Sequence, residues 1–249
     1  MTTFNFGLFF SALAIATPCA GAPIQNVSSN LLINGATDSD EHHGATVRAV
    51  EGIGSEVNAL EGWRVQYVSA ANGITSQQVM DAPAGLAHSL KITVGRGAPI
   101  AYGDFLQVYQ PVPYPKAARL LFGTDKAASV FAEFWIKSSI AGTFAFPLNN
   151  ALGTRNRTLS FTITVPNKWQ HVSLAIPGDK DGQWLPNGAG VGMFFQICMA
   201  SGEKYQTKTA NQWQDGDHLM PVGVTNTSFL TTDGATFYVT GLALRYFAR

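Results

Sequence analysis

Residues 129–146 read SVFAEFWIKSSIAGTFAF, and they predict a strand, a turn and a second strand. Every second residue from Val130 to Ile136 is apolar, whereas the residues between them are mixed in character. A period of two with one apolar face is typical of a half-buried strand. Ser, Ala and Gly residues at 138–142 predict a turn, and residues 143–146 predict the returning strand. We therefore expect a hairpin in the middle of a sandwich, with the rest of the chain supplying the other strands.

The same alternation recurs along the chain and predicts an all-β fold. It is found at residues 63–67, 88–94, 159–165 and 172–176. Further strands are expected at 104–110, at 236–244 and at 191–198, which is apolar on both faces and so suits an interior strand. Gly, Pro and Asn residues separate these segments, and one short helical passage is expected at 116–122. The predicted fold is a two-sheet antiparallel jelly-roll β-sandwich over residues 30–249, preceded by an extended N-terminal arm and linker at residues 1–29.

Two regions depart from the alternation. Residues 36–62 lack a clear period of two, so irregular structure with at most one short helix is expected there. Proline has no N–H group to donate to a central ladder, so Pro111, Pro113 and Pro115 are expected to end the strand at 104–110.

The composition favours one well-packed domain. Apolar residues make up 46% of the 249 residues and charged residues only 13%, with a formal net charge of zero. A nucleic-acid surface needs a clustered basic excess, so nucleic acid is not an expected partner. Cys19 and Cys198 are expected to be unpaired thiols, and Cys198 lies in an apolar run typical of buried side chains.

The N-terminal segment allows two interpretations. Its large apolar side chains are Phe4, Phe6, Leu8, Phe9, Phe10, Leu13 and Ile15. A lone tail would expose this surface to water, so an arm that docks against a partner protein is the favoured interpretation. A secretory signal is the alternative, because residues 7–16 are apolar and residues 20–22 (AGA) suit a cleavage site; the absence of Lys and Arg before Gly7 disfavours it. The stretch is too short to span a bilayer.

Several short segments carry a resemblance to a known family. They are residues 30–35 (NLLING), 81–86 (DAPAGL), 134–139 (FWIKSS) with 141–143 (AGT), and 236–241 (TFYVTG), joined by 176–179 (IPGD) and 213–216 (WQDG). In this order they resemble tailed-phage virion proteins of the tail-fibre or carbohydrate-binding-like jelly-roll family. The resemblance spans about residues 30–247 and implies a jelly-roll fold on a fibre, spike or head appendage, without catalytic activity.

The sequence contains no recognisable set of catalytic residues, so a non-enzymatic role without a cofactor is predicted. The sequence contains no Gly-x-Ser-x-Gly, no P-loop and no His-Glu-x-x-His. His171 has no nucleophile beside it and is expected to be structural. A solvated loop, not a metal site, is predicted for the densest set of potential metal ligands, which is Asp38, Asp40, Glu41, His42 and His43. Glycoside hydrolysis stays open as a disfavoured alternative, because its paired carboxylates are recognised by distance in space.

Candidate glycan-binding residues lie in polar, Gly-rich surroundings. They are Trp184, Tyr205, Trp213, Asp215, Asp217 and His218. Exposed aromatic faces flanked by polar groups suit the stacking and hydrogen bonding of sugar rings. Two other interpretations compete, since Trp213 belongs to a motif of the resemblance and these aromatic residues could instead line a contact between subunits.

The predicted protein is a structural subunit of a tailed-phage virion, either a fibre, a spike or a capsid decoration. The arm would join it to other virion proteins, and a homo-oligomer would present the jelly-roll domain outward, towards host surface polysaccharide. Two alternatives stay open: a dedicated glycan-binding receptor-recognition protein, and a secreted bacterial carbohydrate-binding module.

Overall fold

A computed structural model describes residues 27–40, 45–50, 54–184, 190–223 and 228–247, and nearly all of their regular structure is β. The first strands are β1 (Arg48–Ala49), β2 (Glu56–Leu60), β3 (Trp63–Val68), β4 (Thr75–Val79), β5 (Ser89–Thr93), β6 (Phe105–Pro113), β7 (Val130–Ser138) and β8 (Gly142–Asn150). The later strands are β9 (Arg155–Ile163), β10 (Gln170–Ile176), β11 (Val191–Ser201), β12 (Gln206–Thr207), β13 (Trp213–Asp215), β14 (Met220–Pro221) and β15 (Thr236–Tyr246).

Helical structure is limited to single turns. They are α1 (Tyr114–Ala117) with a 3-10 turn at Ala118–Leu120, a 3-10 turn at Glu203–Tyr205, and α2 (Ser228–Thr231). The passage predicted at 116–122 thus begins and ends two residues earlier. No helix within the described ranges is long and apolar enough to cross a membrane.

Thirteen of the strands form two antiparallel sheets with the connectivity of a jelly roll, and β12 and β14 form a separate parallel pair. A six-stranded sheet has the order β1-β4-β5-β15-β7-β10, and a seven-stranded sheet has the order β13-β9-β8-β11-β6-β3-β2. Their central strands are β5-β15-β7-β10 in one sheet and β6-β11-β8-β9 in the other. From β5 to β15 the chain changes sheet at every step between these eight strands except from β8 to β9, which is a double Greek key. The predicted fold class is confirmed.

The hairpin predicted for residues 129–146 is wrong, because β7 and β8 lie in opposite sheets. β7 pairs with β10 and β15, whereas β8 pairs with β9 and β11. Both strands turn one apolar face into the core, where Phe134 of β7 and Phe146 of β8 are 5.9 Å apart between ring centroids. Alternation indicates which face of a strand is buried, but it does not indicate which strand is the hydrogen-bonded neighbour.

Two further expectations are corrected. β6 continues through Pro111, which lies opposite Phe194 of β11. The ladder between β3 and β6 ends at Tyr109, so no strand pairs with that side of β6 at Pro111. Within residues 36–62, the described part forms β1 and β2 at the sheet edges and contains no helix.

The core lies between the sheets and is rich in aromatic side chains. Phe134, Phe144, Phe146, Phe195 and Phe237 are fully buried there. Cys198 is also buried, which raises the pKa of its thiol to about 12, but it faces the other side of the seven-stranded sheet. Cys19 lies outside the described residues.

The segments that carry the family resemblance act as structural ties. Asn30 of NLLING donates from Nδ2 to the Leu242 carbonyl at 2.9 Å and accepts from the Leu244 amide at 2.9 Å, beside a bulge in β15. Asp81 of DAPAGL accepts hydrogen bonds from Lys137 of FWIKSS and from Trp169.

Two further segments, IPGD and WQDG, meet at one arginine. Arg155 donates to both oxygens of Asp179 in IPGD, at 2.6 and 2.8 Å, and to Asp215 in WQDG at 3.1 Å. The pairing with Asp179 raises the pKa of the guanidinium, so this tie stays charged.

Candidate functional site

The outer face of the seven-stranded sheet carries polar and aromatic side chains across its centre. In β6, Leu106 and Val108 enter the core, so Gln107 and Tyr109 point the other way. In β11, Phe195 and Ile197 enter the core, so Phe194 and Gln196 also point outward. The register places Tyr109 opposite Gln196 and Phe194 opposite Pro111. Amides and aromatic rings from neighbouring strands are thereby brought together.

These side chains line a groove of about 380 Å³. Its lining residues are Gln66, Gln107, Tyr109, Asn149, Asn150, Ala151, Leu152, Gly153, Phe194, Gln196 and Asp217. β3, β6, β11 and β8 form the floor, and the turn after β8 forms one wall. Asn150 holds that turn, because its Oδ1 accepts from the amides of Thr154 and Arg155 and its Nδ2 donates to the Gln183 carbonyl.

The polar insert between β11 and β15 closes one end of this face. Leu219 and Met220 pack on Phe105 and Cys198, which also point outward, and form a second, smaller core. Tyr205 adds an edge-to-face contact with Phe105 at 5.3 Å. The insert therefore covers one part of the outer face and leaves the groove beside it.

Two amides on the floor of the groove have polar atoms without partners. Gln107 and Gln196 are 6% and 5% exposed. Gln107 Nε2 donates to Gln66 Oε1 at 3.1 Å, but Gln107 Oε1 and Gln196 Nε2 have no hydrogen-bond partner among the described residues. A buried polar atom left unpaired costs about 1–3 kcal/mol. The floor thus offers one acceptor and one donor on the same surface, the pair that a hydroxyl group satisfies.

An aromatic pair borders the amides. The rings of Tyr109 and Phe194 meet edge to face, with centroids 5.9 Å apart. The Tyr109 hydroxyl donates to Glu56, which also accepts from Arg64 at 2.9 Å. Burial, with the neighbouring Glu56 carboxylate, raises the pKa of Tyr109 to about 12, so the ring stays neutral and fixed.

Asp217 supplies the only charged side chain of the groove lining. Asn149 Nδ2 donates to Asp217 Oδ1 at 2.6 Å, and Asn149 Oδ1 accepts from Asn156 Nδ2 at 2.9 Å. Desolvation raises the pKa of Asp217, and Asn149, His218 and Lys204 oppose the shift.

The six glycan-binding candidates from the sequence fall in different places, and only Asp217 lines this groove. Trp184 is 4% exposed, and Trp213 is half-buried; their ring centroids are 5.3 Å apart, and both pack on Phe122. Trp184 Nε1 donates to Asp179, and Trp213 Nε1 donates to the Pro177 carbonyl. Both indoles are thus engaged in contacts within the domain.

The other three candidates lie around the insert. Tyr205 belongs to the second core described above. Asp215 is paired with Arg155, although its side chain is 88% exposed. The His218 carbonyl accepts from Asn156 and Thr158, which anchors the insert to β9. A sugar-binding role for these residues stays a prediction.

Sequence reasoning missed the amides and rings of the groove. Residues 191–198 were interpreted as apolar on both faces, and Gln196 is the one amide in that run. An amide at an outward position of an interior strand was the available signal. Its convergence with Gln107 and Tyr109 depends on the pairing of β6 with β11, which the sequence does not report.

The potential metal ligands at 38–43 are partly outside the described residues, which exclude Glu41, His42 and His43. Asp38 Oδ1 lies 2.9 Å from His88 Nδ1, and Asp40 is paired with Arg48 at 2.5 Å. The described ranges contain no group of three or more metal-ligating side chains. His171 is exposed, with its ring 5.0 Å from that of Trp135.

No family model matches this chain, and no curated protein does. A putative sugar binding protein from Bacteroides thetaiotaomicron is similar in structure, with 12% identity, a TM-score of 0.44, and coverage of 88% of this chain and 100% of that one.

Two other solved structures are also similar to this chain. The C-terminal family 22 carbohydrate binding module of Clostridium thermocellum Xyn10B has 13% identity and a TM-score of 0.40, with coverage of 84% and 98%. The enzymatically active domain of tailspike protein 4 of bacteriophage CBA120 has 11% identity and a TM-score of 0.38. That match covers 74% of this chain but only 19% of the tailspike chain.

Proposed function

We propose that this protein is a non-enzymatic polysaccharide-binding jelly-roll protein whose ligand lies in the groove on the seven-stranded sheet. One observation carries the proposal. Gln107 Oε1 and Gln196 Nε2 are buried and unpaired, and both residues line the same groove. Buried polar groups are nearly always paired, so an unpaired donor and acceptor at a concave surface indicate a ligand that completes them.

The rest of the groove suits the chemistry of a sugar. Hydroxyl groups both donate and accept, and they match the amides of Gln66, Gln107, Gln196 and Asn149. The C–H faces of a pyranose ring match the apolar surface of Phe194 and Tyr109. A few convergent polar groups beside aromatic surface are typical of small-molecule sites.

The groove favours binding over hydrolysis. Both retaining and inverting glycosidases place two carboxyl groups on either side of the scissile bond. Within the lining, Asp217 is the only carboxylate. The nearby Glu56 is held by Tyr109 and Arg64. Purified protein incubated with a bound polysaccharide should therefore release no reducing ends, and release that is abolished by Asp217→Asn would contradict this proposal.

The binding proposal is tested with a pair of matched glutamine variants. Full-length protein is titrated with host capsule or lipopolysaccharide oligosaccharides, and the double variant Gln107→Leu/Gln196→Leu should lose binding at least tenfold. Gln170→Leu makes the same change on the six-stranded sheet, where Gln170 donates to the Thr162 carbonyl, and should bind as wild type. Equal binding by all three proteins would overturn the proposal.

The virion role is a second proposal, and it rests on the family resemblance of the quoted segments. The geometry agrees with outward display. Val27, the first described residue, is bridged to Phe247 beside the six-stranded sheet, whereas the groove is on the outer face of the other sheet. A chain anchored through residues 1–26 would leave the groove free.

Incorporation into particles tests the virion role. In full-length protein, Phe9→Ser/Phe10→Ser should abolish incorporation without changing the melting temperature, if the arm is the anchor. Normal incorporation would show that it is not. The secreted alternative predicts instead a mature N-terminus near Ala22, which N-terminal sequencing of protein from the native source detects.

A further inference from the structure

The charge of the groove lining is negative. Among its eleven lining residues Asp217 is acidic, five are amides of Gln or Asn, and none is Lys, Arg or His. Lys204 and His218 are close enough to act on Asp217, yet neither lines the groove. Arg64 is on the neighbouring strand and is already paired with Glu56. A ligand in the groove therefore meets one carboxylate, and the two basic residues that act on that carboxylate lie outside the lining.

We infer that Asp217 makes the groove selective for uncharged glycans, so that polysaccharides of neutral sugars bind and those carrying uronate or other acidic groups are rejected. The inference rests on the proposed glycan-binding function and specifies its ligand class. Asn149 holds the carboxylate in place at 2.6 Å, so it cannot swing away from an incoming anion without losing that bond. A neutral sugar hydroxyl, by contrast, donates to a carboxylate favourably.

The expected size of the discrimination follows from Coulomb's law. Two like charges several ångströms apart at a surface repel with an energy equivalent to roughly three- to tenfold in affinity. The repulsion between exposed charges is screened by salt, and the Debye length falls to about 3 Å at 1 M ionic strength. Selectivity that comes from Asp217 must therefore shrink in high salt, whereas selectivity that comes from shape would not.

Lowering the pH is a second way to change the charge of the Asp217 carboxylate. Because the pKa of Asp217 is raised by desolvation, the side chain becomes neutral at a higher pH than an ordinary aspartate does. Lys204, which interacts electrostatically with Asp217, stays positive at that pH and would attract an acidic ligand. Discrimination against acidic glycans should thus weaken as the pH falls.

The test compares two forms of one ligand. A neutral oligosaccharide that binds the full-length protein is oxidised at C6 to its uronate form, and both are titrated by calorimetry at low salt. Wild-type protein should bind the uronate form three- to tenfold more weakly, and Asp217→Asn should bring the two affinities to within about twofold. Asp125→Asn removes an exposed carboxylate that does not line the groove, and it should leave the wild-type ratio unchanged.

Each outcome is decisive. Equal affinity of wild-type protein for the two forms, or an unchanged ratio in Asp217→Asn, would overturn the selectivity inference while the groove proposal stands. Failure of both forms and of every other glycan to bind wild-type protein would overturn the groove proposal itself. Circular dichroism and melting of Asp217→Asn establish that the variant is folded.

Discussion

Gln196→Leu should stabilise the protein and weaken ligand binding. Gln196 is 5% exposed, and its Nε2 has no hydrogen-bond partner among the described residues. A buried, unpaired polar atom costs about 1–3 kcal/mol, and a leucine side chain of similar length removes that cost. Natural sites keep such costs where function needs the group.

The magnitude follows from two terms of opposite sign. Removal of the unpaired amide, less imperfect packing of the new side chain, should raise the free energy of unfolding by about 1 kcal/mol. For a domain of this size, that is a rise of about 2–4 °C in melting temperature. The lost hydrogen bond to the ligand, worth about 0.5–1.5 kcal/mol, weakens binding roughly two- to twelvefold.

Differential scanning calorimetry and titration of the same preparations measure both effects. Gln170→Leu is the control, and it should change neither quantity appreciably. A fall of several degrees in melting temperature together with unchanged affinity would refute the reasoning, because it would mean that the Gln196 amide is used within the fold.

Three further predictions address the fold. Phe134→Ala should lower the free energy of unfolding, measured by urea titration, by about 3–5 kcal/mol, because Phe134 is fully buried. Thr162 is exposed, so Thr162→Ala should lower it by less than about 0.5 kcal/mol, and equal losses for the two variants would mean that the burial of β7 is misassigned. Asp81 has a pKa lowered below its ordinary 3.8, chiefly by its hydrogen bond from Lys137, so Asp81→Asn should be less stable than wild type at neutral pH, and the gap should close as the pH falls through that lowered pKa; a gap that persists in acid would exclude the ion pair as its cause. Gly241 has φ +64°, and a Cβ there would lie 3.0 Å from the nearest side-chain atom. Gly241→Ala should therefore destabilise the folded protein by about 1–3 kcal/mol in thermal melts, and an unchanged melting temperature would contradict that geometry.

The sequence predicts the buried faces of the strands well and their partners poorly. Every second residue from Val130 to Ile136 is buried as expected, because burial leaves a period of two in the sequence. The partner of β7 is not encoded in that period. A turn of Ser, Ala and Gly suits a hairpin, and here it carries the chain to the opposite sheet instead.

The groove was harder to predict than the fold, for a related reason. Its residues come from β3, β6, β8, β11 and the insert, and pairing alone makes them neighbours. Aromatic residues in polar loops suggested a sugar site, but Trp184 and Trp213 pack with Phe122 and anchor loops. Asp217 was identified by its polar surroundings, and Gln107 and Gln196 carry meaning only once their burial and unpaired atoms are known.

Chemical-shift mapping with a bound oligosaccharide tests the central claim most directly. On addition of ligand to isotope-labelled full-length protein, the proposed site predicts that the largest shifts occur at the side-chain amides of Gln107, Gln196 and Asn149 and at the backbone of β6 and β11. Shifts concentrated around Trp184 and Trp213, or on the outer face of the six-stranded sheet, would contradict the claim that the groove is where glycans bind.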